Sequence, residues 1–167
     1  MKSFLTLSLL FASLSMASAQ FLRPQNSSWM SEHVLFLEVM GNAGTISLNY
    51  EQLVASGEYA AAAARIGVGA YPRGAGEIEF GVPVTVSGLF GHERLWGEIG
   101  GGIRTSFTQA LMEDGAEIWT TGILGLRLHP DHPGGVMLKV AYTPALSPEG
   151  VLVHLAGFAI GIGLNGR

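Results

Sequence analysis

Four carboxylates and four cations invite a chemical reading before anything else in this chain: Glu38, Glu51, Glu79 and Glu98 with Arg65, Arg104, Arg127 and Lys139. Each stands in a run where bulky apolar residues alternate with small or polar ones, and each falls on the small or polar side of that alternation. Charges so placed fit a salt-bridge ladder that fills an interior and fixes its register, or a polar relay for protons or ions. An isolated charge in a narrow interior is costly to desolvate, so such groups are expected to pair, and the ladder is the expected reading.

Other candidates for chemistry are weaker. His129-Pro-Asp-His132 could offer imidazole and carboxylate to a metal, but two prolines within His129–Gly134 and missing further ligands make it read as a turn. His154 near Ser147 is a loose nucleophile–base pair, and an interfacial histidine is the expected role. His92 precedes Glu93 in a turn, with no serine placed to act as a nucleophile. Gly100-Gly-Gly102 lacks the Lys-Ser/Thr ending of a phosphate loop. No catalytic residue, metal or cofactor is expected.

These residues sit in a chain of 167 with a formal net charge of −4, 48 % apolar residues, 24 glycines and only 13 % charged residues. Soluble domains average about 25 % charged residues. So much apolar mass with so little charge excludes disorder. Nine basic residues against thirteen acidic ones exclude a basic nucleic-acid binder. Cysteine is absent, which removes disulfides, thiolate metal sites and a cysteine nucleophile.

Met1–Lys2, the apolar run Ser3–Ala12 and the small-x-small triplet Ala17-Ser-Ala19 read as a signal peptide over 1–19, cut between Ala19 and Gln20. The apolar run is shorter than the roughly 20 residues of a spanning helix. Residues 20–32 read as a polar leader, in which Asn26-Ser-Ser28 matches a glycosylation acceptor of low specificity and Trp29 could pack at a barrel mouth.

From 33 to 167 the period is two, over eight segments near 33–41, 44–54, 60–71, 77–91, 94–108, 117–129, 135–145 and 152–165. Ile46, Leu48 and Tyr50 share one face, as do Ile78, Phe80, Val84 and Val86, and Phe158, Ile160 and Ile162. The opposite face carries the eight charges and many glycines. A soluble sandwich would bury the bulky face and leave those glycines on its surface, where they only weaken strands. A membrane barrel turns the bulky face to lipid and fits small and charged residues into a narrow bore. The fold expected is therefore all-β, an eight-stranded antiparallel up-and-down transmembrane β-barrel. Turns at 41–44, 72–76, 109–116 and 147–150 would lie at the end opposite the termini, with 109–116 the best placed for any contact. Trp96, Trp119, Tyr71, Phe90, Phe107 and Tyr142, near strand ends, would form interfacial girdles.

Leu35–Glu51, Val82-Pro-Val-Thr-Val86, Leu89-Phe-Gly91, Trp96–Gly100, Gly122–Arg127, Leu138–Pro144 and the closing Gly157–Leu164 resemble small outer-membrane β-barrels of Bacteroidota and related bacteria. The resemblance implies a monomer in the outer membrane of a Gram-negative cell, with membrane lipid and the outer-membrane insertion machinery as partners. Such barrels usually end on an aromatic residue, whereas this sequence ends Leu164-Asn-Gly-Arg167, so an insertion signal would lie within Phe158–Leu164. A structural role with a charge-plugged lumen is expected, a narrow polar channel is the first alternative, and a lipid-modifying enzyme and a soluble lipid-binding barrel stand behind it.

Overall fold

The computed structural model describes residues 30–73, 77–108 and 116–164. The segment 1–19 expected to be a signal peptide, the expected leader through Trp29 and most of the 109–116 loop lie outside the described residues.

Every regular element among the described residues is a strand: β1 (His33–Gly41), β2 (Gly44–Ser56), β3 (Ala60–Arg73), β4 (Glu77–His92), β5 (Leu95–Thr108), β6 (Glu117–Leu128), β7 (Val136–Tyr142), β8 (Ala145–Leu146), β9 (Leu152–Val153) and β10 (Ala156–Leu164). The short β8 and β9 prolong β7 and β10 past the interruption at Thr143-Pro144. Pro144 has no N–H to donate, and its carbonyl instead accepts from Gly122 N at 2.8 Å. The sequence reads 135–145 and 152–165 as unbroken strands, and the proline is what divides them.

All pairings are antiparallel, β1 pairs with β10, and β5 pairs with β6, so the sheet closes into a barrel of eight staves. Closure satisfies every stave edge without a covering layer. Following paired residues once around the barrel measures its stagger. The path Gly97, Leu126, Val140, Phe158, Val39, Ile46, Ala70, Phe80 returns to the starting strand at Phe107, ten residues on. Eight strands with that shear tilt by about 40° and leave a backbone cylinder of roughly 8 Å radius, which side chains can fill.

Apart from its glycine and alanine, that path carries exposed bulky residues such as Leu126, Val140, Phe158 and Ile46, each more than half exposed. One residue over, the path Trp96, Arg127, Lys139, Ala159, Glu38, Ser47, Gly69, Gly81, Ser106 points into the bore. Trp96, Arg127, Glu38 and Ser106 on it are at most 1 % exposed. The polarity of a soluble protein is thus reversed: among the strand side chains whose burial is described, no Asp, Glu, Lys or Arg is exposed, while Ile46, Leu48, Val84 and Ile160 are 44–53 % exposed.

Candidate functional site

The bore is filled in layers. At the end holding the termini, Leu53, Ala61, Ala63, Leu89 and Trp96 form an apolar plug completed by Met30 from the leader. Ser31 ties that leader down: its N–H donates to Pro130 O at 2.9 Å, and its hydroxyl lies 3.1 Å from Leu164 O. Trp96 is fully buried here, its indole N–H donating to Glu93 O at 2.9 Å. The girdle role expected for Trp96 is therefore wrong. It shares the inward parity of Glu98, two residues on.

His129, just past the end of β6, caps this layer. Its Nε2 faces Ser31 O at 2.9 Å and so carries the ring proton, and the side chain is buried. Burial above all, with the Arg127 cation nearby, pushes its pKa down to about 4. An unfolded His129 gains a proton as pH falls through about 6.5, and the folded one does so only near 4. Stability from this group is complete above 6.5 and declines on acidification through that window, by about 1.4 kcal/mol per pH unit and roughly 3 kcal/mol overall. Denaturant midpoints between pH 7.5 and 4.5 are expected to fall accordingly, with a shallower slope in His129→Gln. Equal slopes would show that the imidazole is already charged when folded.

Six of the eight anticipated charges meet in the middle of the bore, all at most 4 % exposed. Arg127 Nη1 donates to Glu51 Oε1 at 2.7 Å and lies 3.6 Å from Glu98 Oε2. Lys139 Nζ reaches the two Glu98 oxygens at 3.0 and 3.1 Å. Arg65 stands 3.5 Å from Glu38 and 3.8 Å from Glu98, and its Nε donates to Thr85 Oγ1 at 3.0 Å. Three acids and three bases make the layer neutral, with Glu98 at its centre facing three cations. Phe36 presents its ring to Arg65 and Lys139 from 5.5 and 5.9 Å, a further desolvated cation contact.

Beyond this layer the β1–β2 turn folds into the bore instead of standing out as a loop. Asn42 and Ala43 are each 1 % exposed. Met40, at φ 56°, adopts a left-handed conformation, and Val39 and Met40 both point outward before Gly41 turns in. The opposite walls are bare where the turn arrives. A Cβ on Gly69 would stand 2.6 Å from Ala43 O, and one on Gly81 would stand 2.8 Å from it. These inward glycines make room for a piece of backbone. The Asn42 amide accepts and donates no hydrogen bond among the described residues.

The remaining two charges, Glu79 and Arg104, stand apart from the six at the loop end. Arg104 Nη2 lies 3.6 Å from Glu79 Oε1, and its guanidinium stacks over the Trp119 ring at 4.7 Å. Trp119 therefore faces the bore, a second correction to the expected girdles, and its indole N–H donates to Glu117 at 3.3 Å. Tyr71 also leaves the girdle set, since it lines the cavity at this mouth with Glu79 and Arg104. Phe90, Phe107 and Tyr142 keep their outward place.

The other sequence candidates separate. His154 stacks on Tyr142 with its Nδ1 at the phenol oxygen, while the Ser147 hydroxyl accepts from Val151 N at 3.1 Å, so the two do not meet. His132 pairs with Asp131 at 2.7 Å, a hydrogen bond that holds the carboxyl below its ordinary range, while His129 turns into the barrel. No group of three or more potential metal ligands forms among the described residues. Two further stacks, His33 on Tyr50 and Tyr59 on His92, lie at the terminal end of the barrel. No protein-family model, curated protein or solved structure matches the chain.

Proposed function

We propose that this chain is exported by its first nineteen residues and resides as a monomeric barrel in the outer membrane of a Gram-negative bacterium, where its role is structural. The carrying observation is the reversed polarity of a closed barrel: an outer wall of exposed aliphatic and aromatic side chains, with no exposed charge among the strand side chains whose burial is described. Water is a poor solvent for that wall and acyl chains are a good one. Most staves span 9–16 residues, enough to cross hydrocarbon at the tilt the shear requires. The exposed tyrosine–histidine stacks give the wall amphipathic rims of the kind that sit at headgroup depth. Closure leaves no free stave edge through which a second copy could extend the sheet, which favours a monomer.

The neutral charge layer, the apolar plug and the inward-folded turn each oppose a continuous polar path, and so favour the structural role over the channel. Among the described residues the bore is filled by buried side chains, and this disfavours the soluble carrier.

Fractionation of expressing cells tests the location. The protein is expected to pellet with envelope membranes, to resist alkaline carbonate and to be released only by detergent. In detergent it should migrate differently on gels with and without boiling. Recovery in the periplasmic supernatant would overturn the reading.

A further inference from the structure

Two of the histidine–tyrosine stacks on the outer wall repeat one geometry. Tyr50 pairs with Leu35 across β1 and β2, and His33 stands two residues before Leu35. Tyr142 pairs with Ala156 across β7 and β10, and His154 stands two residues before Ala156. The rings stack at 5.9 Å and 24° in the first pair and at 5.8 Å and 17° in the second. In both, the phenol oxygen lies at the imidazole Nδ1, at 2.6 Å for His33. We propose, on the membrane location inferred above, that these two pairs anchor the barrel to the phosphate groups of bilayer phospholipids, one pair at each edge of the apolar wall.

Three observations lead to phosphate. A phenol O–H donates readily to a neutral imidazole nitrogen, so Nδ1 accepts and the ring proton is left on Nε2. Neither Nε2 has a partner among the described residues, and each stack thus turns one N–H outward. Phosphate supplies anionic acceptor oxygens for it, and among the strand side chains whose burial is described no Asp or Glu is exposed to compete.

The spacing fits as well. His33 pairs with Leu164 near the terminal end, and His154 lies ten residues from Leu164 toward the loop end, along β10 and the link before it. At about 3.3 Å per residue and a tilt of about 40°, the two histidines stand roughly 25 Å apart in height, which is the height of the apolar band of a membrane barrel. Anchors at both edges hold the barrel at one depth. The third stack supplies the contrast. Tyr59 and His92 lie 5.2 Å apart, but the Tyr59 hydroxyl bonds Glu58, which leaves the His92 tautomer unset and a carboxylate beside the rings.

The full chain, folded into dilauroylphosphatidylglycerol vesicles with its histidine nitrogens isotopically labelled, tests the proposal by phosphorus–nitrogen dipolar dephasing in the solid state. The protonated Nε2 signals of His33 and His154 are assigned by their loss in His33→Gln and His154→Gln. Each should be dephased by lipid phosphorus at least about twofold more than that of His92, as a fixed donor in contact implies. Tyr50→Phe and Tyr142→Phe keep the rings and free Nδ1. Dephasing of the partner histidine should then fall by about half or more, as the proton divides between two nitrogens. Vesicles of phosphate-free digalactosyldiacylglycerol with added inorganic phosphate should give none. Dephasing there would mark a site for free anions, and equal dephasing at His92 would mark plain headgroup crowding; either overturns the proposal. A chain that floats with the vesicles yet shows no dephasing at His33 or His154 also overturns it, and leaves the membrane location standing. A chain that does not float with them overturns both.

Discussion

Glu98→Ala is expected to lower the stability of the folded barrel by about 3–5 kcal/mol, the range for stranding a buried charge by removing its partner. Here the loss strands more than one. Lys139, Arg127 and Arg65 lie 3.0, 3.6 and 3.8 Å from the Glu98 oxygens, and the layer left behind holds two acids against three bases. Lys139→Met should be milder, because Glu98 would keep both guanidinium groups. Combining Glu98→Ala with Lys139→Met restores neutrality, so the pair should lose less than the sum of the single losses by about 1 kcal/mol or more. Denaturant midpoints and the folded band on unboiled gels measure all four proteins. Unchanged midpoints in both single variants would mean that the charges are solvated and the bore is wet.

Ile160→Arg asks the complementary question of the outer wall. Ile160 is 51 % exposed at the middle of β10, flanked by Leu37 and Leu138 on its two neighbouring strands. On a water-facing surface, a substitution there would change stability by no more than about 0.5 kcal/mol. Facing the hydrocarbon midplane, it should cost about 2–4 kcal/mol in lipid vesicles. The same change at His33, at the rim, should cost about 1 kcal/mol or less. A depth-dependent loss supports acyl chains as the solvent of this face, and a flat response across the two sites rejects them.

Much of this architecture is legible because a strand repeats every two residues. Once Glu98 is placed inside, Trp96, Gly100 and Arg104 follow by parity, and the same step would have moved Trp96 from the girdle to the bore. Its position near a strand end suits either place, and only the parity separates them. Trp119 is likewise two residues from Thr121, which is buried. Which acid meets which base is not legible in the same way. Arg127 finds Glu51 across 76 positions because of the shear, a property of all eight junctions together. The inward turn at Asn42-Ala43 is hidden for a related reason. Its polar, glycine-flanked sequence reads as a loop in water, and its seat is made by Gly69 and Gly81 on strands that the turn meets only after closure.

The seam between β1 and β10 sets the timetable of assembly. Ser31 and Leu164, 133 positions apart, come together at that join, so the cylinder has no lock until its first and tenth strands have met. Neighbours so distant in sequence make for slow maturation. Through that interval a greasy, half-open sheet would be exposed to every similar sheet nearby, an invitation to clumping that an escorting holdase would have to suppress.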